Sequence, residues 1–279
     1  MEIHARANAF RQLHERPGAF VVPNPWDAGS AKLLESLGFE ALATTSAGYA
    51  FSLGRPDAAA AVDREETLAN VRAIVEATSL PVSADLENGF GDDPQTCAET
   101  IRRAVAARLV GGSIEDATGR PGDPIYPFAL AVERVGAAVA AARASPFPFV
   151  LTARAENLIT GRPDLTDTIR RLEAFAAVGA DVLYAPGLTT RDAIASVVRA
   201  VAPKPVNVLM GLSSATFSLA ELGELGVKRV SLGSSLARAA LGALLRASRE
   251  VRDSGTFTFA QEAMPYATLN ALFERKRKP

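Results

Sequence analysis

Short apolar runs alternate with longer amphipathic stretches along almost the whole chain. The runs are Ala19-Phe20-Val21-Val22-Pro23, Glu40 to Thr45, Leu80-Pro81-Val82, Leu109 to Asp116, Phe149 to Arg154, Ala180 to Ala185, Pro205 to Leu209 and Val230-Ser231-Leu232. Such short apolar segments mark strands of a parallel sheet covered by helices on its outer face. The stretches between them carry helical spacing, at residues 28–37, 64–77, 94–108, 132–144 and 165–178. Eight such βα units fit an α/β fold of the (β/α)8 TIM-barrel type, whose usual size is about 250 residues. A doubly wound open sheet fits less well, because no Gly-x-Gly-x-x-Gly follows the first strand.

Residues 1–16 read as an outlying N-terminal helix with Ala9, Phe10 and Leu13 on one side. Beyond Ser235 a long helix runs to Val251, and an apolar-rich segment follows from Phe259 to Phe273. No composition break divides the chain, so residues 1–279 read as one barrel domain with a C-terminal helical extension from about 235 to 279. A closed barrel has no interior place for that extension. It is expected to pack on a neighbouring subunit.

Composition narrows the function classes. The 279 residues, 48% of them hydrophobic, suffice for one large core or two modest ones. A formal net charge of -1 offers no electrostatic basis for nucleic acid or an anionic membrane. No apolar run is long enough to span a bilayer, and the polar N-terminus is unlike a signal peptide. The basic Arg275-Lys276-Arg277-Lys278 reads as a solvated tail. A single cysteine rules out an internal disulfide framework and suits a reducing cytoplasm. Cys97 lies in a helical pattern and reads as core. The two histidines, His4 and His14, both precede the first strand, so the body of the fold has no histidine chemistry.

What remains is oxygen chemistry at the strand ends. Asp85 and Glu87 stand two apart after Val82, a spacing that puts both on one face of an extended strand. Gly89 and Gly91 then allow close backbone approach. Two desolvated carboxylates need protons or a cation, and an all-oxygen set favours a hard ion such as Mg²⁺. In a barrel the active site forms where strands end. The strand ends carry Trp26 and Asp27, Thr45 and Ser46, Asp85 and Glu87, Glu115 and Asp116, Arg154 and Glu156, and Asn207. Glu115-Asp116 also fits a helix cap or an ion pair with Arg154, whose planar fork suits a carboxylate substrate. Gly211-Leu212-Ser213 and Gly233-Ser234-Ser235 occupy the place where many barrels bind phosphate, although helix caps use the same residues. A Schiff-base mechanism needs a lysine inside the barrel, and none falls on a strand interior.

The segments Trp26-Asp27-Ala28-Gly29-Ser30, Thr45-Ser46-Ala47-Gly48, Asp85 to Gly91, Ile114-Glu115-Asp116 and Arg154-Ala155-Glu156 together resemble the isocitrate lyase/phosphoenolpyruvate mutase superfamily, in order and over nearly the whole chain. The resemblance implies a Mg²⁺-dependent barrel, with Mn²⁺ a substitute, acting on small 2-oxo or 2-hydroxy acids. It also implies a homo-oligomer, a tetramer or dimer of dimers, that exchanges a terminal helix. Asp85 matches the direct metal ligand, while Asp57, Glu87 and Glu115 match the carboxylates that hold the metal's waters. Ser46, Ala47 and Gly48 match the turn receiving the substrate carboxylate, with Thr45 and Asn207 beside it. Arg154, with Glu156, matches the arginine at the substrate oxygens, and Trp26 and Asp27 match the pocket wall.

Departures matter as much. Lyase members carry Lys-Lys-Cys-Gly-His after the fourth strand, whereas residues 117–127 contain no Cys, Lys or His. The Lys and Asn of phosphonopyruvate-handling members are also missing there, as is the mutase histidine near the sixth strand. The expectation is a lyase or decarboxylase that breaks the C–C bond beta to the keto group of an oxaloacetate-like 2-oxo acid through a metal-stabilised enolate. A metal-bound water or Tyr126 would return the proton to C3. The alternatives are P–C bond chemistry, with Arg120 replacing the loop lysine, and a catalytically silent metabolite-binding barrel. Residues 117–127, irregular in Gly and Pro, are expected to form a lid.

Overall fold

Aspartates and hydroxyl residues punctuate the chain where its helices begin, because a side-chain oxygen there satisfies an otherwise orphaned backbone N–H. Asp27 and Asp63 make reciprocal capping boxes with Ser30 and Glu66, and Asp93 caps a helix that opens on Pro94. The computed structural model describes residues 3–57, 61–211 and 216–274, so Leu212-Ser213 and the basic tail lie outside the described residues.

The chain opens with α1 (Ile3–Glu15), β1 (Phe20–Val22), α2 (Ala28–Ser36), β2 (Leu42–Ala43), α3 (Ser46–Ser52) and α4 (Arg64–Ala77). Then come β3 (Val82–Asp85), α5 (Pro94–Ala106), β4 (Gly111–Glu115), β5 (Ala117–Arg120), β6 (Asp123–Ile125) and α6 (Phe128–Arg143). The second half holds β7 (Val150–Arg154), α7 (Leu165–Ala177), β8 (Val182–Tyr184), α8 (Arg191–Val201), β9 (Val206–Leu209), α9 (Leu219–Glu224) and β10 (Arg229–Ser231). It ends with α10 (Ser235–Ser254), a 3-10 turn at Thr258–Gln261 and α11 (Tyr266–Glu274).

Eight strands form one parallel sheet in the order β1-β10-β9-β8-β7-β4-β3-β2. The last gap, between β1 and β2, is bridged by the Ala43 N–H donating to Pro23 O at 3.1 Å and by Asn24 Nδ2 donating to Thr44 O at 3.0 Å. The result is a nearly closed (β/α)8 barrel. Residues 117–125, expected to be irregular, instead pair as the antiparallel hairpin β5–β6 above the barrel rim.

α1 closes the N-terminal end of the barrel. Phe10 packs with Phe20, Val110, Val150 and Val182, all at strand starts, in a cluster distinct from the larger core between sheet and helices. At the other extreme α10 buries only Ala237, while Leu244, Leu245, Phe257 and Tyr266 stand exposed. Among the described residues no helix is long and apolar enough to cross a membrane.

The plug explains a glycine. A Cβ on Gly111 would stand 2.8 Å from Val150 O and 2.9 Å from Phe10 Cε1. Backbone on one side and a wedged ring on the other leave little room to relax. Gly111→Ala should therefore cost about 1–3 kcal/mol of stability, as overpacking does. Chemical denaturation measures it, and a melt unchanged from wild type would contradict the plug.

Candidate active site

β3, β4 and β7 are adjacent, and their register sets Asp85 opposite Ser113 and Glu115 opposite Arg154. Their C-terminal ends thus bring the charged side chains together. Arg154 Nη1 donates to Asp85 Oδ1 at 2.9 Å, Nη2 lies 3.1 Å from Glu115 Oε2, and Nε donates to Glu156 Oε1 at 2.9 Å. Three carboxylates share one guanidinium, and the Arg154 side chain is only 13% exposed. Asp57 and Glu87 complete the acidic wall of two adjoining cavities that meet at Ser46, Asp57 and Arg154. The inner cavity measures about 180 Å³ and the outer about 770 Å³.

The electrostatics follow from that surplus of negative charge. Burial raises Asp85, but Arg154 and then Ser46 more than offset it, so its pKa lies below the usual carboxylate range. Glu87 has no such partner. Burial, then Asp85 and Asp57, push it up to about 8. Asp57 rises for the same reasons, burial first and Asp85 second. Burial also lifts Glu115 and Glu156, because neither has Arg154 to itself.

The route by which Glu87 reaches the pocket differs from the sequence expectation. β3 ends at Asp85, and Glu87 sits in the left-handed region at φ 48, followed by Gly89 at 83 and Phe90 at 62. Strand alternation therefore does not place it. Two non-glycine residues with positive φ need outside support. Buried Arg134 supplies it, donating to the carbonyls of Asn88, Gly91 and Asp92 while its guanidinium lies 3.9 Å from the centre of the Tyr126 ring. Gly89 is required as well, since a Cβ there would stand 2.9 Å from Cys97 Sγ.

Ser46, expected in a simple turn, begins α3. Its Oγ donates to Asp85 Oδ2 at 2.9 Å, and its N–H reaches the same oxygen at 3.4 Å. Thr45 and Ala47 line the inner cavity with it. Gly48 does not, because its N–H donates to the capping hydroxyl of Thr45. A Cβ on Gly48 would lie 3.3 Å from Trp26 Cβ, so the two residues pack behind the wall. Asp27 spends its carboxylate capping α2. Asn207 sits inside the barrel, accepting from Arg229 Nε and donating to Ser231 Oγ, both at 2.9 Å.

Tyr126 and Arg120 lie at the rim, outside both cavity linings. Tyr126 Oη donates to Asp92 Oδ1 at 2.6 Å and accepts from Asn88 Nδ2 at 3.2 Å. Burial and then Asp92 push its pKa up to about 12. Arg120 pairs with Asp92 Oδ2 at 2.9 Å on the surface. Asp116 turns away to Arg171 at 3.1 Å and accepts the Glu156 N–H at 2.8 Å, a buttress beneath the site. The Gly233 N–H, a candidate phosphate donor, is used by Asn24 Oδ1 at 3.0 Å.

Sequence reading missed the inward residues of the inner cavity, Ser83, Ser113, Tyr184, Arg229 and Ser231. Arg229 and Ser231, two apart on β10, carried the usable signal, since alternate strand residues share a face. All-oxygen, partly unneutralised donors fit a hard cation. Among the described residues no three His, Cys, Asp or Glu side chains stand close enough to hold one ion directly. The carboxylates that line the cavities and could approach such an ion are Asp57, Asp85, Glu87, Glu115 and Glu156.

The phosphoenolpyruvate phosphomutase family model matches residues 10–252. An oxaloacetate decarboxylase of Paraburkholderia xenovorans (strain LB400) is 30% identical over 89% of this chain and 82% of its own length. A crystal structure from Burkholderia cenocepacia J2315, described only as a lyase/mutase, superposes with a TM-score of 0.95 at 62% identity, covering 98% of this chain and 96% of that one. The structure of 2,3-dimethylmalate lyase, described as a PEP mutase/isocitrate lyase superfamily member, superposes at 0.85 with 29% identity over 96% and 94%. The chain described here therefore belongs to the phosphoenolpyruvate phosphomutase family, within the PEP mutase/isocitrate lyase superfamily.

Proposed function

We propose that this protein is a Mg²⁺-dependent lyase that cleaves the C–C bond beta to the keto group of a small, oxaloacetate-like 2-oxo acid, passing through an enolate. The convergence of Asp85, Glu115 and Glu156 on Arg154, with Asp57 and Glu87 left short of positive charge, carries the reading. When bound, Mg²⁺, or Mn²⁺ in its place, supplies Lewis acidity toward the carboxylate and keto oxygens of the substrate. Asp85 would hold it, with Asp57, Glu87 and Glu115 orienting its waters. Arg154 would donate to the substrate oxygen on which charge develops. Ser46 Oγ and the start of α3 receive the substrate carboxylate.

The hairpin β5–β6 bears Arg120, and Tyr126 follows it. We assign Tyr126 the return of the proton to C3, which requires the rim around Asp92 to close inward. P–C chemistry would need a cation facing the cavity from this hairpin, and the pairing of Arg120 with Asp92 favours the C–C reading. A silent metabolite-binding barrel is the outcome if no turnover follows metal loading. We further propose that the exposed apolar residues of α10 and α11 pack in a homo-oligomer, a tetramer or dimer of dimers. A cytoplasmic location is proposed on the lone, buried Cys97.

Pyruvate release from a panel of 2-oxo acids with Mg²⁺ tests the reaction. Asp85→Ala should abolish turnover and tight Mg²⁺ binding yet stay folded, because Arg154 keeps Glu115 and Glu156. Unchanged Mg²⁺ affinity by calorimetry would overturn the metal assignment.

Titration gives a second test. Burial, then Asp85 and Asp57, keep Glu87 protonated in the folded, metal-free protein up to about pH 8, well above the ordinary glutamate value of 4.5. Its raised pKa contributes stability that is fully present below the unfolded value and lost as pH rises through about 8. A cation must displace that proton, so Mg²⁺ affinity should climb with pH toward 8 and then level off, with proton release on binding. Glu87→Gln should flatten the profile, and pH-independent affinity in wild type would contradict the assignment.

For the hairpin, Mg²⁺ with oxalate should protect residues 117–125 from protease. Arg120→Ala should lower turnover much more than it lowers the melting temperature. Equal cleavage rates with and without oxalate, together with a fully active variant, would make the hairpin a fixed connector.

A further inference from the structure

Beneath the carboxylate cluster the barrel interior holds a second, isolated charge. Arg229 begins β10, is 5% exposed and lines the inner cavity. Its Nε donates to Asn207 Oδ1 and its Nη2 to Thr152 Oγ1, both at 2.9 Å, so the guanidinium reaches across the barrel to β7. Its Nη1 is buried and has no partner among the described residues. None of their ion pairs includes Arg229, in contrast to Arg154 and Arg171, which have carboxylates. Burial brings its pKa down to about 10, offset only by Tyr184. Burial and then Arg229 push the His14 pKa down to about 3, so that imidazole stays neutral, and a histidine carries no negative charge in either state.

A buried, unpaired guanidinium is expensive to maintain unless an anion completes it. Two hydroxyl residues line the cavity with Arg229, Ser231 on the same strand and Tyr184 on β8. Thr152 lies two residues before Arg154 on β7, which places the Arg229 fork roughly 6.6 Å below the metal-side cluster at the usual strand rise. That span suits a short carbon chain carrying an acid at each end.

We propose that Arg229 is the base of a carboxylate subsite on the cavity floor, which takes the distal carboxylate of a 2-oxo dicarboxylate whose other end is held at Asp85. This rests on the metal-held 2-oxo acid of the proposed function and narrows its substrate class. A guanidinium paired with a departing carboxylate opposes its loss as neutral CO₂. The subsite therefore favours acids whose second carboxylate survives the C–C cleavage over decarboxylation of oxaloacetate itself.

Two inert ligands of equal length isolate the effect. 2-Oxoglutarate and 2-oxopentanoate share the metal-binding end and differ only in a terminal carboxylate or methyl. With Mg²⁺, wild type should bind 2-oxoglutarate about tenfold or more tighter, as removal of a buried charge partner implies. Arg229→Met should erase that preference, and Arg229→Lys should retain part of it. Oxalate, which occupies the metal end alone, should bind all three proteins within about threefold. Absence of the preference in wild type, or its survival in Arg229→Met, overturns the subsite.

Failure of oxalate to bind wild type with Mg²⁺ would instead sink the metal-held reading. Metal-free protein then decides the subsite alone. Formate should raise the melting temperature of wild type more than that of Arg229→Lys, and no rise in wild type overturns the subsite. Should Arg229→Met not fold, wild-type crystals soaked in formate give the answer. Formate at Nη1 upholds the subsite, and a water bridging Nη1 to His14 Nε2 with no anion overturns it.

Discussion

One guanidinium among three buried carboxylates is the constraint on which the upper half of the barrel depends. Arg154 meets Asp85, Glu115 and Glu156 at 2.9–3.1 Å, and each partner comes from a different strand or the loop after it. Removing one member of a buried ion pair typically costs about 3–5 kcal/mol, because the survivor keeps its desolvation penalty. Here the penalty is already partly unmet, since one positive charge faces three negative ones. Burial lifts the pKa of Glu115 and Glu156, the neighbouring carboxylates add to the rise, and the imbalance makes a second cation welcome. The same arrangement makes strand register consequential. A slip of one residue between β4 and β7 would turn Arg154 out of the barrel and leave Asp85 and Glu115 uncompensated.

Around this centre the chain spends polar residues on support. Arg134 holds the loop after β3 by its carbonyls, which sustains the left-handed Glu87 and Phe90. Arg171 bonds Asp116, Asp167 and the carbonyl of Tyr126, tying the residues just after β4 and β6 to α7. Asp116 in turn accepts the Glu156 N–H, so the residue that points away from the cavity orients one that points toward it. These are deeply buried arginines bound to carbonyls and carboxylates, the setting in which a planar fork is hard to replace with lysine.

The polarity of the interior changes along the barrel axis. At the closed end Phe10 of α1 seals an apolar plug, and Arg229 lies between that plug and the hydroxyl-lined cavity. Negative charge therefore concentrates at the open end and positive charge at the floor. A small dianion entering from the open end with its own cation meets complementary charge at both depths, an arrangement that gives specificity more than raw affinity.

Much of this was legible in the sequence, because the signals involved are local. Apolar runs, helix periodicity and Asp-Pro starts are set by neighbours a few residues apart, so the eight βα units, Cys97 as core and the acidic strand ends could be read directly. Asp57, Asp85, Glu87, Glu115, Arg154 and Ser46 do face the cavities. The tertiary structure alone decided which side chains meet. Arg154 and Asp85 are 69 positions apart, and their contact depends on the register of three strands. Glu87 enters through a left-handed turn that strand alternation does not anticipate. Asp92, one residue past the Asp85 to Gly91 motif and not singled out with it, captures Tyr126 and Arg120 at the rim. Arg229 stands just before the run Val230-Ser231-Leu232, and only closure of the barrel turned it inward. Periodicity specifies which face of an element is buried, whereas partner choice across a barrel is fixed only when all the strands have found their register.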